Sequence, residues 1–140
     1  MDSDSKAICL DTRILSNLLK GIDLALQLME KCKNQGFELY TTSINVAEYY
    51  NGLFKVKSHI ISEHKLKALK DLFKTLHPRA LDYEAAYLAG KLFGTILKGR
   101  EIGWRDTFIA AIVLLNGNMI ITNNAEHFQR IPDLKIIKYS

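Results

Sequence analysis

Two prolines, two cysteines, one tryptophan and eight glycines are all this 140-residue chain has of the residues that break, staple or loosen a fold. So little Pro and Gly leaves no linker or low-complexity tract, and no internal repeat is present, which excludes a string of modules. Cys9 and Cys32 fall in no C-x-x-C or other ligand pattern. They are read as free thiols of a reducing compartment, not as a disulfide or a thiolate metal site. The longest apolar stretches, FIAAIVLL and NMIIT, are far shorter than the roughly 20 residues that span a bilayer. The opening MDSDSKAICLDT is acidic and short of apolar residues, unlike a secretory leader. These absences point to a soluble, cytoplasmic protein with no membrane contact.

What is present suffices for a core. Hydrophobic residues make up 48% of the chain, and the length suits one domain over 1–140. Nineteen Lys and Arg against fifteen Asp and Glu give a net charge of +4, spread over helices instead of gathered in one tail. A surplus of that size is compatible with a nucleic-acid partner and, alone, is weak evidence for one.

The apolar pattern alternates between two periods. Residues 7–11 (AICLD) predict a buried strand ending in Asp11, and 14–19 (ILSNLL) a helix interrupted at Gly21. Leu24, Ala25, Leu28, Met29 and Cys32 mark a second helix, with Gly36 as its stop. A strand over 37–42 leads to Ser43, a suitable N-cap for a helix from Ile44 that turns Val46, Ala47, Tyr50 and Leu53 or Phe54 inward. Helices follow over 60–74, lysine-rich outside at 65, 67, 70 and 74, and over 80–98, with Ala85, Ala86, Leu88, Ala89, Leu92 and Phe93 apolar. Gly99 and Gly103 bracket a loop before a very apolar helix from about Arg105 to Leu115. The Asn116-Gly117 turn, a strand over Met119 to Thr122, a short helix over 124–129 and a strand over Lys135 to Tyr139 complete the chain. Strands alternating with helices predict an α/β fold whose mostly parallel sheet is covered on both faces. Ligands of such sheets gather outside the carboxyl ends of the strands.

That rule selects the polar residues of interest. Asp11 follows the first strand, and Thr12 stands beside it. Glu48 lies in a helix among mostly apolar neighbours, where a bare charge is expensive to bury. Asp106 opens an almost wholly apolar helix, either to cap it or to hold a metal. Thr122 ends a strand and Asn124 follows it, as site residues or as the cap of the short helix. Three carboxylates crowded together repel unless a cation neutralises them, and oxygen donors without His or Cys favour magnesium, with manganese able to substitute. Magnesium there would activate water and stabilise charge on a phosphodiester. Arg13, Arg100 and Arg105 are candidate phosphate contacts, the plain alternative being a solvent-facing position for Arg100 and Arg105 and, for Arg13, an ion pair with a site carboxylate that weakens metal binding. Trp104 is a candidate base-stacking surface or a hydrophobic staple. The lysines read as a solvated face. His59, His64, His77 and His127 lack paired spacing, and only His127 falls near the expected pocket. Tyr49, Tyr50, Phe54, Ala85 and Ala86 serve either the core or a partner groove.

Three segments together resemble the PIN-domain ribonucleases, in particular the VapC-type toxins of toxin–antitoxin pairs. ICLDTRILSNLL resembles the opening strand with its Asp-Thr, and LYTTSINVAEYYNGL the segment with the glutamate and a following glycine. GREIGWRDTFIAAIVLLNGNMIITNNAEHFQRIPDLKII resembles the Asp-x-x-Ile-Ala-Ala helix, the Gly turn, the Thr-x-Asn strand end and the Phe before the last strand. The resemblance implies a PIN-like three-layer domain with a mostly parallel central sheet flanked by helices. It implies a Mg2+-dependent endoribonuclease, usually a homodimer, restrained by a small antitoxin whose tail lies in or near the cleft. Asp11, Glu48 and Asp106 match its acidic core. Two positions depart: Arg13 stands where the family often has Asn, and Asn124 where it often has Asp. Rival readings are a PIN-type nuclease of RNA processing or DNA cleavage, a degenerate RNA- or protein-binding module, and a phosphotransfer domain. The last lacks a suitable lysine near the later strand end.

Overall fold

The structure, a computed structural model, describes residues 6–56, 60–97 and 102–139. Its elements in chain order are β1 (Lys6–Leu10), α1 (Thr12–Leu19), α2 (Asp23–Asn34), β2 (Phe37–Tyr40), α3 (Ser43–Phe54), α4 (Glu63–Thr75), α5 (Tyr83–Gly94), α6 (Trp104–Leu114), β3 (Met119–Thr122), α7 (Ala125–Phe128) and β4 (Lys135–Lys138). The described strands form one sheet in the order β2-β1-β3-β4, and every pairing is parallel.

The pleat explains the layers. Ile8 and Leu10 of β1, Leu39 of β2 and Ile121 of β3 point to one side, where they join Ile14 of α1 and Ala25 and Cys32 of α2. Their alternates Cys9, Tyr40 and Ile120 point to the other, against Leu92 of α5, Ile109, Ala110 and Val113 of α6, and Phe128 of α7. The result is the expected three-layer α/β arrangement of helices, parallel sheet and helices. Ile8, Leu10, Ile120 and Ile121 are fully buried, and each such side chain stabilises the fold by about 1.5–3 kcal/mol. Both cysteines are free and buried, and burial pushes the Cys9 thiol well up, with the nearby Asp11 charge adding to it.

At the β3 end, Gly117 has φ +101°, and a Cβ there would lie 3.2 Å from the Ala7 carbonyl oxygen. Glycine is therefore required where the turn brushes β1, as the Asn-Gly signal implies.

Several boundaries differ from the expectations. α1 begins at Thr12, because Asp11 leaves the strand and caps the helix. Thr42, not Ser43, caps α3, its hydroxyl accepting from the Asn45 backbone N–H. Within α3, Ala47 and Phe54 are exposed, and Asn45 is the buried residue. α4 starts only at Glu63, after its cap Ser62. The predicted helix over 80–98 is the shorter α5: Asp82 caps it by accepting from the Ala85 N–H, and Thr95 leaves the helix with its hydroxyl bonded to the Lys91 carbonyl. Ala86 is exposed there. His59, Gly99 and Arg100 lie outside the described residues.

Candidate functional site

Strand order fixes where a site forms. From β1 the chain crosses to β2 on one side and later returns through β3 on the other, so the connections diverge at the carboxyl ends of β1 and β3. Such a switch point opens a crevice. Asp11 follows β1 there, Thr122 ends β3, and α3 packs against both α1 and α6, bringing Glu48 and Asp106 to the same place. An open cleft of roughly 580 Å³ is lined by Asp11, Thr12, Glu48, Arg105, Asp106 and Asn124, among others.

Asp11 is 2% exposed and Asp106 5%, so each needs partners. One Asp11 oxygen accepts from the Thr122 hydroxyl (2.6 Å). The other accepts from the Thr12 N–H (2.9 Å), the Asn45 amide (2.8 Å) and the Arg105 guanidinium (3.1 Å). Glu48 accepts from Arg105 through both oxygens, at 2.6 and 2.5 Å, and from the Thr12 hydroxyl. Asp106 binds Arg105 through Oδ1, and Oδ2 accepts from the Asn124 amide at 3.2 Å. Nδ1 of His127 lies 2.8 Å from the same Oδ2 and, when it carries the proton, donates to it. Burial alone would push Glu48 up, but the bonds from Arg105 and Thr12 outweigh it and hold the carboxyl below its ordinary value. Burial likewise disfavours the charged guanidinium, and the surrounding carboxylates reverse that and raise Arg105.

The structure thus brings together Asp11, Thr12, Glu48, Arg105, Asp106, Thr122 and Asn124. Asp106 does not cap α6: the cap is Gly103, and Asp106 sits in the first turn facing the cleft. Asn124 gives its side chain to Asp106 and not to the α7 backbone. Arg105 does not face solvent but lies among the carboxylates. Arg13 lines the cleft with an exposed side chain, together with Ser16, Asn17 and Lys20. Trp104 is not part of that lining. Its ring stacks on Phe93 of α5 at 4.1 Å between centroids and leans on Phe108, holding the start of α6 against α5. Half of Trp104 stays exposed. Arg100 lies outside the described residues.

Two contributors escaped the sequence reading. Asn45 is fully buried and gives its amide to Asp11 and Thr12 while its carbonyl accepts from Thr42. A pattern of apolar residues treats an Asn as a surface position, and only its place three residues after a capping Thr hinted otherwise. The cleft-lining residues Ser16, Asn17 and Lys20 join Arg13, already a candidate, at the spacing of one helical face, a signal that was available. Asn45→Ala strips a donor from Asp11 and an acceptor from Thr42. The expected cost is about 1–3 kcal/mol, read as a lowered urea midpoint at unchanged slope. An unchanged midpoint would show that Asn45 holds nothing.

Asp11, Glu48 and Asp106 offer oxygen donors only, and all three bind one cationic group, so they surround a single cation position. That donor set fits a hard divalent ion such as magnesium. Among the described residues no three His, Cys, Asp or Glu side chains stand arranged as a metal cage, and these three carboxylates each bind Arg105.

The family model described as PIN domain matches residues 8–134. The protein named Ribonuclease VapC1 from Haemophilus influenzae (strain R2866) is 30% identical over 129 residues, covering 90% of this chain and 92% of that protein. Among solved structures, VapBC-1 from nontypeable Haemophilus influenzae superposes with a TM-score of 0.75 at 27% identity, over 94% of this chain and 97% of that one. VapBC2 from Rickettsia felis, solved with a DNA fragment from its promoter, shares the fold with a TM-score of 0.77 at 24% identity, over 96% and 99% of the two chains. With the matched family model running from within β1 through α7 and including the acidic crevice, the chain belongs to the PIN-domain family, in its VapC-type toxin–antitoxin group.

Proposed function

We propose that this protein is a Mg2+-dependent endoribonuclease, the toxin of a type II toxin–antitoxin pair, acting in the cytoplasm as a homodimer and restrained by a small antitoxin. The observation that carries the reading is the convergence of Asp11, Glu48 and Asp106 on one cation position at the switch point of a parallel sheet. The ribonuclease names of its relatives support it. Among the described residues no helix is long and apolar enough to cross a membrane.

Asp11, Glu48 and Asp106 would hold the ion. Bound magnesium, or manganese in its place, supplies Lewis acidity toward a phosphodiester oxygen and a lowered pKa for water. The protein supplies preorganisation. Thr122 and Asn45 fix the plane of Asp11, and Asn124 with His127 fixes Asp106. Thr12 bridges Asp11 and Glu48 through its backbone and hydroxyl. Arg13 on the cleft wall provides a phosphate contact, and such contacts orient a nucleic acid without reading its sequence.

The test is incubation of the purified, antitoxin-free protein with structured RNAs in magnesium, in manganese and in EDTA. Cleavage in either metal that EDTA abolishes is the expected result. A folded protein that cuts no RNA in any metal but still retains RNA would instead support the binding-module alternative, for which the guanidinium lodged among the carboxylates is the favouring observation.

A further inference from the structure

The cleft already contains a cation. Arg105 places Nε and Nη2 on the two oxygens of Glu48, Nη2 also on Asp11 and Thr12, and Nη1 on Asp106. The remaining oxygens of the two aspartates are committed elsewhere, Asp11 Oδ2 to Thr122 and Asp106 Oδ2 to Asn124 and His127. The guanidinium takes the other aspartate oxygens and both Glu48 oxygens, and it shares Asp11 Oδ1 with the Thr12 N–H and the Asn45 amide. Three carboxylates against one guanidinium also leave two negative charges unbalanced within this group.

Resting on the metal-nuclease reading, we propose that Arg105 is an internal counter-cation, competing with the divalent ion for the same oxygens and yielding them when the ion binds. The Arg105 side chain is 35% exposed, whereas Asp11 and Asp106 are 3% and 7%. The side chain that would move is thus the one that reaches solvent, and the buried aspartates stay in place. Charge favours the exchange, because a dication in the same position gains twice the Coulomb attraction. Once released, Arg105 stays tethered to the first turn of α6, beside a cleft wall that carries Arg13 and Lys20. Neither of those forms an ion pair among the described residues, so all three cations then face the cleft together, disposed toward an anionic backbone. The arginine thus keeps the carboxylates from repelling one another without metal, and in doing so lowers the site's affinity for metal.

The test measures Mn2+ binding by electron paramagnetic resonance and calorimetry on the whole chain, with no RNA present. Proteins compared are the wild type, Arg105→Met, Arg105→Lys and the control Asp11→Asn, with melting temperatures taken in EDTA and in Mn2+. Arg105→Met is expected to bind Mn2+ roughly 10- to 100-fold more tightly than the wild type. It should melt lower in EDTA and recover more on adding Mn2+. Arg105→Lys, a point charge that cannot span three carboxylates, should fall between them and covers the case in which the Met variant does not fold. Equal or weaker Mn2+ binding by folded Arg105 variants, with the wild type binding and Asp11→Asn not, overturns the exchange and leaves the nuclease reading standing. No Mn2+ bound by any of them at millimolar concentration overturns both.

Discussion

Asp106→Asn is expected to slow RNA cleavage by on the order of 100- to 1000-fold, the scale of losing one preorganised charge-stabilising group, while the fold remains. Asn and Asp have nearly the same shape, so the first turn of α6 should pack unchanged. What changes is the chemistry at the cleft. One carboxylate oxygen becomes an NH2 group that offers a cation neither charge nor a lone pair. If the amide oxygen stays with Asn124 and His127, the NH2 faces Arg105, where only an acceptor fits. If it flips, the bond from Asn124 is lost. Both arrangements weaken the site without opening a cavity. Asp71→Asn is the control, since its carboxylate lies on an exposed helix face and, among the described residues, pairs only with Lys67 at 3.2 Å. Exposed pairs of that kind contribute little, and that variant should cleave like the wild type. Single-turnover rates at saturating magnesium decide the matter. A near-wild-type rate for Asp106→Asn would remove Asp106 from the chemistry, whatever its place in the fold.

The second large effect falls on stability. Phe128 is fully buried at the end of α7, packed with Ile109, Val113, Ile120 and Ile131. Truncation to alanine removes the ring and leaves a space the surrounding helices and sheet refill only in part. Phe128→Ala should cost about 3–5 kcal/mol and lower the melting temperature by roughly 10 °C or more. Phe128→Leu keeps much of the volume and should lose markedly less. The site should register the change as well, because α7 is the short turn that carries Asn124 and His127 to Asp106. Thermal denaturation followed by circular dichroism measures the effect, and a shift of only a degree or two would contradict it.

Legibility in the sequence followed physical cause. β3 was readable to the residue because a turn demanding glycine directly precedes a run that must be buried on both faces, and Gly117 against Ala7 is that demand in space. Asp11, Glu48 and Asp106 were readable as a group because each interrupts an apolar pattern at a sheet end. The end of α5 was less so: the apolar spacing runs on to Leu97, which is buried, but the backbone leaves the helix at Thr95. Asn45 was missed because burial of a polar side chain depends on partners from other elements, here Asp11 and Thr12. Arg105 was read as a phosphate contact. Its hold on its own neighbour Asp106 ran against the rule that adjacent helical residues point apart, and a long flexible side chain at a helix start is free to break that rule.

The central place of β1 also bears on how the protein is made. Its partner β3 follows roughly 110 residues later, which at cellular elongation rates is roughly 5 to 20 s of synthesis. Through that interval one edge of β1 has no strand to pair with, and Asp11 lacks the Thr122 hydroxyl. Folding that closes so distant a pairing is slow compared with local helix formation. A product that stops just before β3 therefore carries Asp11, Glu48 and Asp106 but lacks Thr122, Asn124 and His127, which hold the two aspartates in place.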